Sequence, residues 1–151
     1  MKWIFSNSLT WCLIGIIFQL SILHSLVSQP TIEWQSSLGG ADLDEAYSVQ
    51  QTTDGGYIAA GKTKSIDGDV TCYAGGQDFW IVKTNTIGEI EWQQCLFGIN
   101  FEVGYSIQQT MDSGFIVSGS TDEESSNDLL VVKLNTNGHI QWQKNIWWFG
   151  K

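Results

Sequence analysis

Short stretches of alternating apolar and polar residues, separated by turn residues, run through the chain from about residue 46 onward. A period of two is typical of β-strands, and Gly, Asp and Asn between the runs favour tight turns. The pattern predicts no helix beyond residue 30 and eight strands, at 46–52, 56–63, 78–84, 89–96, 104–110, 114–121, 128–135 and 139–146. We therefore expect an all-β fold.

Two of the predicted strands have apolar residues at consecutive positions, so both of their faces are apolar. They contain Phe-Trp-Ile-Val at 79–82 and Leu-Leu-Val-Val at 129–132. A strand that is apolar on both sides is typical of one covered on both faces. We expect both segments to lie in the interior.

The strand pattern is also an internal repeat. Tyr-Ser-x-Gln-Gln-Thr occurs twice, 58 residues apart, whereas later matching positions are 50 residues apart. The eight missing residues fall between 63 and 78, and length variation confined to one place indicates a surface loop. The repeated positions include Trp34, Trp92 and Trp142, which stand in Ile-Glu-Trp-Gln or Ile-Gln-Trp-Gln, and also Tyr47 and Tyr105, Gly61 and Gly119, Lys83 and Lys133.

The recurring tryptophans suggest packing between repeats, because stacked repeats bury the same position each time. Sugar platforms that also include Trp80 are the alternative for these rings. For Lys83 and Lys133 we expect side chains that extend along a strand edge with the ammonium group in water.

The first 28 residues differ from the rest of the chain. Lys2 precedes an apolar stretch at 11–18 that continues to residue 27, and the small residue Ser28 follows. This is the pattern of a secretory signal peptide, with an uncleaved membrane anchor as the alternative. We predict a secreted or cell-surface protein.

The charge of the remaining chain limits its partners. Without Lys2 it has six lysines, no arginine and all 16 acidic residues. A chain so acidic lacks the basic contacts that nucleic acid needs, and anionic lipid repels it. We expect no nucleic-acid partner, and no membrane contact after signal cleavage.

Two cysteines lie outside the predicted signal peptide, Cys72 and Cys95. Export permits a disulfide, and a hairpin would bring Cys95 towards the region of Cys72. Two unrelated thiols are the alternative, because the second repeat has no pair at matching positions.

The shared order of Ile-Glu-Trp-Gln, Tyr-Ser-x-Gln-Gln-Thr, Asp-Gly-Gly-Tyr-Ile, Gly-x-Thr, Asp-x-Trp-Ile-Val-Lys and Asn-x-x-Gly resembles secreted bacterial β-propeller-like repeats. These are the delta-sixty and SBBP-type repeats of surface proteins exported by the type IX pathway. The resemblance implies antiparallel four-stranded blades at 46–96 and 97–146. It also implies a lead-in at 29–45 that contains, at 32–38, the outer strand of a preceding blade.

The resemblance therefore implies an incomplete β-propeller, because a closed one needs ~4–8 blades. A small two-sheet β-sandwich is the alternative. The aromatic tail at 147–151 departs from the repeat pattern, and we expect it to mark a truncation point in a longer protein.

The residues favour no enzymatic chemistry. His139 is a lone histidine in a predicted turn, and Ser106 and Ser118 lie in predicted strands. Neither a hydrolase triad nor a zinc site is indicated, and we expect no cofactor. Asp67 and Asp69 are weak calcium candidates, with a hydrated acidic turn as the alternative.

These features predict a secreted, non-enzymatic β-repeat module with a structural or protein-interaction role, as a fragment of a longer propeller-like surface protein. A carbohydrate-binding or adhesion module is the alternative. A protein or glycan surface is the expected partner rather than a small-molecule substrate, and self-association is a further expectation.

Overall fold

The protein is described from a computed structural model, which covers residues 30–72, 76–96, 101–123 and 126–146. The predicted signal peptide (1–28) and the predicted aromatic tail (147–151) lie outside the described residues.

The chain divides into two compact units, Met1–Glu33 and Trp34–Lys151. In the first unit, the described residues 30–33 are exposed and have no regular secondary structure. The second unit contains all the described strands.

The strands of the second unit form two four-stranded antiparallel sheets, and within each sheet every strand pairs with the next one along the chain. All eight strands lie within two residues of their predicted bounds, and no described residue is helical, so the all-β prediction is confirmed. Sheet 1 contains β1 (Asp44–Gln51), β2 (Tyr57–Thr63), β3 (Asp78–Thr84) and β4 (Ile90–Leu96). Sheet 2 contains β5 (Glu102–Gln109), β6 (Phe115–Glu123), β7 (Ser126–Leu134) and β8 (Ile140–Ile146).

The first hairpin of each sheet closes in the same way. The Gly55 amide donates to the Thr52 carbonyl, and the Ser113 amide donates to the Thr110 carbonyl, both at 2.9 Å. Gly55 and Ser113 adopt left-handed φ values of 86° and 61°. Glycine takes this conformation freely, whereas serine carries a steric cost. The second repeat therefore keeps the turn with a less suitable residue.

A β-bulge interrupts the first strand of each sheet at the repeated tyrosines. The pairing register shifts around Tyr47 in β1 and around Tyr105 in β5. Opposite the bulge, a Cβ on Gly61 would lie 1.8 Å from the Glu45 carbonyl oxygen, and one on Gly119 would lie 2.1 Å from the Val103 carbonyl oxygen. The bulge therefore explains the two repeated glycines.

The larger hydrophobic core lies between the two sheets. Sheet 1 contributes one face of β2, β3 and β4, and sheet 2 contributes apolar residues from β5, β6 and β7. Its members are Ile58, Ala60, Phe79, Ile81, Leu96, Ile107, Phe115, Val117, Leu130, Val132 and Leu134.

A smaller core lies on the opposite face of sheet 1. Val70, Trp80, Val82 and Cys95 are buried there, and Leu38 packs against them. With a core on each side, every residue of β3 is buried, which confirms the prediction for 79–82.

The same prediction for 129–132 is wrong on one side of β7. Leu130 and Val132 are buried, but Leu129 is 47% exposed. The cause is architectural, because no third sheet of described residues covers that side.

The lead-in also differs from the expectation of an outer strand. Residues 34–38 belong to no strand, because no described neighbouring strand pairs with them. The described strands form two packed sheets rather than a closed propeller, which is consistent with the two-sheet alternative.

Candidate functional site

The contact between the two sheets is made by residues that recur, or have counterparts, in the repeat. Phe79 of β3 lies over Gly104 and Gly119 of sheet 2. A Cβ on Gly104 would be 1.9 Å from Phe79 Cε2, and one on Gly119 would be 2.8 Å from Phe79 Cε1. Two missing side chains thus create the recess that holds this ring, which is fully buried.

The second part of the contact is the site that holds Trp92 between Phe115 and Gly138, which we call the tryptophan seat. The ring of Trp92 lies 5.7 Å from the ring of Phe115, and a Cβ on Gly138 would be 2.6 Å from Trp92 Cε3. The repeat thus supplies an aromatic ring and a glycine that together hold the tryptophan of the preceding repeat.

Trp34 occupies the equivalent seat on sheet 1. Its ring lies 5.3 Å from the ring of Tyr57, and a Cβ on Gly88 would be 2.7 Å from Trp34 Cζ3. The prediction that recurring tryptophans pack between repeats therefore describes Trp34 and Trp92 well.

Hydrogen bonds from Tyr-Ser-x-Gln-Gln-Thr complete the contact. The Ile107 amide donates to Ser48 Oγ at 3.3 Å, and the Gln109 amide donates to Gln50 Oε1 at 2.7 Å. In return, the Thr53 amide donates to Gln109 Oε1 at 2.9 Å. Polar side chains of one repeat thus pair with main-chain amides of the other, which explains why the motif recurs.

We call the face of sheet 1 that carries Phe79 the presenting face, and the face of sheet 2 that holds this ring the receiving face. The repeat places the same two kinds of surface on the outer sides of the unit. The outer presenting face, on sheet 2, comprises Ile116, Ser118, Leu129, Val131, Trp142 and Ile146. The outer receiving face, on sheet 1, comprises Val49, Tyr57, Ala59, Trp80, Val82 and Thr84.

The outer presenting face is open. Leu129, Trp142 and Ile146 are 47%, 49% and 47% exposed, whereas Phe79 and Leu96, the counterparts of Leu129 and Ile146, are 0% and 5% exposed. The prediction of a packed core position is thus wrong for Trp142, because no further sheet of described residues lies beyond it. Contiguous exposed apolar surface is a common feature of interaction sites.

The polar groups of the same face are also exposed. Ser106 and Gln108 are the counterparts of Ser48 and Gln50, and both are exposed to solvent. At the equivalent positions of the first repeat, Ser48 and Gln50 accept hydrogen bonds from main-chain amides. A docked sheet would find the same acceptors there.

The outer receiving face is covered in part, because Trp80 and Val82 are buried under Leu38 and the loop residue Val70, but a recess beside them is open. Val49 is 69% exposed, whereas its counterpart Ile107 is 5% exposed. A cavity of about 230 Å³ lies over Ala46 and Gly61, at the positions equivalent to Gly104 and Gly119. Its other lining residues include Leu38, Ala59, Trp80 and Val82.

Each sheet anchors its first hairpin with a lysine from its third strand. Lys83 Nζ lies 3.0 Å from Asp54 and 2.7 Å from Glu91, and Lys133 Nζ lies 3.0 Å from Asp112. Both lysines sit on interior strands, and their side chains are only 4% and 12% exposed. The expectation of edge lysines with the ammonium group in water is therefore wrong, and the shared recurrence of Lys and Asp was the signal for the ion pair.

These contacts change the titration of the hairpin. Hydrogen bonds from the Thr52 hydroxyl and the Gly56 amide, together with Lys83, lower the pKa of Asp54 to about 2. Burial lowers the pKa of Lys83, but its bonds to Glu91 and Asp54 outweigh burial and leave the pKa raised. The pair is therefore ionised at neutral pH.

Cys72 and Cys95 have their sulfurs 2.17 Å apart, at bonding distance, as the sequence predicts. Gln93 strengthens the same connection between β4 and the loop before β3. It accepts from Trp80 Nε1 at 3.0 Å and donates to the Asp69 carbonyl at 2.8 Å. The loop that distinguishes the first repeat is thus fixed against sheet 1.

The calcium candidates Asp67 and Asp69 bond to the main chain. Asp67 accepts from the Ala41 amide at 2.8 Å, and Asp69 accepts from the Gly39 amide at 3.2 Å. Within the described ranges, no group of three or more His, Cys, Asp or Glu side chains is placed to hold a metal. The acids here tie the lead-in to the loop.

The remaining candidates are His139 and the two repeated tyrosines, which pair across the edge of the contact between the sheets. His139 is exposed in its turn, where its amide donates to Asn135. Tyr47 and Tyr105 are both about half exposed, with ring centroids 5.7 Å apart. In the part of the chain that the structure describes, no helix has the length and apolarity needed to span a membrane.

Sequence reasoning missed the residues that shape the recess and supply the hydrogen bonds. Phe79, Gly104, Ser48 and Gln50 form one contact although they lie in different motifs. The signal available was the recurrence of polar Ser and Gln inside a strand motif, where apolar residues alone would suffice for a core.

No protein-family model matches this chain, and no curated protein matches it either. The resemblance to propeller-like repeats therefore depends on the repeated motifs and stays a prediction.

Proposed function

We propose that the chain is a secreted, non-enzymatic β-repeat module that acts by docking onto another β-sheet of the same repeat type. The observation that carries the proposal is the unequal burial of repeat-equivalent residues. Phe79 is fully buried under sheet 2, whereas its counterpart Leu129 is 47% exposed on the outer presenting face. An interface used once inside the chain is thus offered again to a partner.

Several features support a structural or interaction role outside the cell. The bonded pair Cys72 and Cys95 suits an oxidising compartment, and the N-terminal sequence has the pattern of a signal peptide. The interior-strand lysines Lys83 and Lys133 form ion pairs with carboxylates of the hairpin turns, which favours a structural role for them. A longer propeller-like surface protein is one setting in which such a module would act.

The test is to add the missing sheet. A second copy of residues 97–146 placed after Ile146 should dock on the outer presenting face. Because neighbouring repeats stabilise each other, we expect a higher melting temperature and a blue shift of tryptophan fluorescence as Trp142 becomes buried. The matched control carries Leu129→Lys in sheet 2, which should abolish both gains. An added repeat that changes neither the melting temperature nor the tryptophan emission would refute the proposal.

Carbohydrate binding is a second candidate, and the observation that favours it is the exposed pair Tyr47 and Tyr105. Aromatic rings at a surface can stack on sugars, and Glu45 and Lys62 lie beside Tyr47 as polar partners. A glycan-binding screen tests it, with Tyr47→Ala and Tyr105→Ala as controls. If no glycan binds in a manner that depends on these two rings, this candidate fails.

A further inference from the structure

We propose that two copies of the chain associate head to tail, and that residues 34–38 compete for the surface on which the second copy docks. In this arrangement the outer presenting face of one copy enters the outer receiving face of the next. The inference rests on the proposed function, and it goes further by naming a second copy as the partner. The argument starts from the contact between the chain's own two sheets.

The shapes of the two outer faces are complementary. Inside the chain, the large ring of Phe79 requires two glycines beneath it, Gly104 and Gly119. On the outer faces, the smaller Leu129 replaces the phenylalanine, and Ala46 replaces the first glycine. The additional methyl group on the receiving side is thus matched by a smaller side chain on the presenting side. The open cavity of about 230 Å³ is at the position that Leu129 of a second copy would fill.

The hydrogen-bonding groups match as well. Ser48 and Gln50 accept from two amides of β5, the edge strand of sheet 2. In a second copy, the equivalent amides belong to Val49 and Gln51 of β1, which is the edge strand of sheet 1. The equivalent acceptors are Ser106 and Gln108, whose side chains are exposed. The same pairing is therefore available between copies.

The tryptophan seat gives the proposal its regulatory feature. Trp142 of one copy would enter between Tyr57 and Gly88 of the next, but Trp34 of the next copy already lies there. Residues 34–38 pair with no strand, so their displacement breaks no ladder hydrogen bonds and costs the packing of Leu38 on the smaller core. The 34–38 segment therefore acts as a plug, which leaves the cavity for Leu129 open but fills the seat for Trp142.

A head-to-tail contact joins two different surfaces, so each added copy presents a fresh face. Such contacts give closed rings when the rotation closes and open filaments when it does not. Without Lys2 the secreted chain has six lysines against 16 acidic residues, a formal net charge of −10, which opposes association at low ionic strength, and salt screens this repulsion. We therefore expect association to strengthen as NaCl is raised from about 0.02 M to about 0.3 M, because the Debye length falls well below about 20 Å over this range.

The first experiment is sedimentation velocity of the full secreted chain, unreduced, over a range of concentrations. Trp34→Ala should strengthen association at least tenfold, because it empties the seat for Trp142. Leu129→Lys should abolish association, and Trp142→Ala is a second variant on the same face. Met111→Lys is the matched control, because Met111 is fully exposed in a turn and lies on neither face. Circular dichroism checks that each variant is folded.

Mixing two variants tests the head-to-tail geometry directly. The Leu129→Lys chain keeps an intact outer receiving face, and an Ala46→Leu chain, whose cavity is filled, keeps an intact outer presenting face. Both substitutions are made in the Trp34→Ala background. Neither chain should associate alone, whereas an equal mixture should form one-to-one dimers that grow no further.

Three outcomes would overturn the inference. The Trp34→Ala chain could remain monomeric at every concentration, the mixture could fail to form dimers, or association could persist in both single variants. If the chain remains monomeric while the chain extended by residues 97–146 buries Leu129, then sheet docking holds and the partner is a further repeat rather than a second copy. If the extended chain also leaves Leu129 exposed, the proposed function fails with the inference.

Discussion

The recess for Phe79 allows the packing of the two sheets to be tested at a single position. In Gly104→Ala, the added Cβ would lie 1.9 Å from Phe79 Cε2 and 2.5 Å from two further ring atoms. Carbon atoms in contact prefer a separation of about 3.5–4.0 Å, so the ring or the backbone must move by more than 1 Å, on the order of a bond length. Phe79 is fully buried and has little room to move.

Overpacking of this kind costs about 1–3 kcal/mol of unfolding free energy. For a unit of this size, each 1 kcal/mol lowers the melting temperature by roughly 4 °C. Urea denaturation of the unreduced protein, followed by circular dichroism, measures the loss directly. The slope with denaturant should stay constant, because the substitution changes packing rather than the surface exposed on unfolding.

Phe79→Leu provides the decisive comparison, because leucine already occupies the equivalent position 129 in the second repeat. Adding Phe79→Leu to Gly104→Ala should restore about 1–2 kcal/mol relative to the sum of the single variants, since contacting residues couple by about 0.5–3 kcal/mol. Ala46→Gly is the matched control. It removes a methyl group from the equivalent position and should cost only about 0.5–1 kcal/mol. A coupling energy near zero would refute the description of the sheet packing.

Three further predictions concern the turns, the loop and the response to acid. Replacing Cys72 and Cys95 together by alanine should lower the unfolding free energy by about 3 kcal/mol, the chain-entropy value for a loop closed over 23 residues; urea denaturation would show it, and an unchanged midpoint would argue against the bond. Ser113→Gly should raise the unfolding free energy by about 0.5 kcal/mol, because φ at this position is 61° and the first repeat has glycine there. The pKa values of Asp54 and Asp112 are lowered by folding, so the stability that these carboxylates contribute is complete above about pH 4 and is lost as the pH falls towards 2. When both are changed to asparagine, the urea midpoint should depend less on pH across this range.

The strands could be predicted because the information that places them is local. Alternation, hairpin glycines and Asn-x-x-Gly turns act within a few residues, and β3 runs over 78–84 as predicted, residue for residue. The internal repeat also allowed the order of the strands in the second half of the chain to be predicted from the first half. What neighbours along the chain cannot determine is which face of a strand another sheet will cover.

Burial of equivalent residues shows this limit clearly. Val49 and Ile107 occupy the same repeat position and are both apolar, yet one is 69% exposed and the other 5%. Local pattern assigns both to a core. The lysines illustrate the same point, because a lysine in a strand is usually at an edge, and only the fold brings Asp54 to Lys83 on an interior strand.

The differences between the two repeats carry more information about interaction than their similarities. If the outer faces matched the inner contact in every residue, docking between copies would have the same packing as the contact between the chain's own two sheets. Here the inner contact pairs Phe79 with Gly104, whereas the outer faces offer Leu129 and Ala46, a smaller knob for a shallower recess. If the inner and outer contacts were equivalent, a Leu129→Phe substitution would strengthen association. The methyl group of Ala46 instead predicts that Leu129→Phe weakens it, and that Ala46→Gly in the partner copy restores it. Sedimentation of the single and paired variants, in the Trp34→Ala background, decides between these two results.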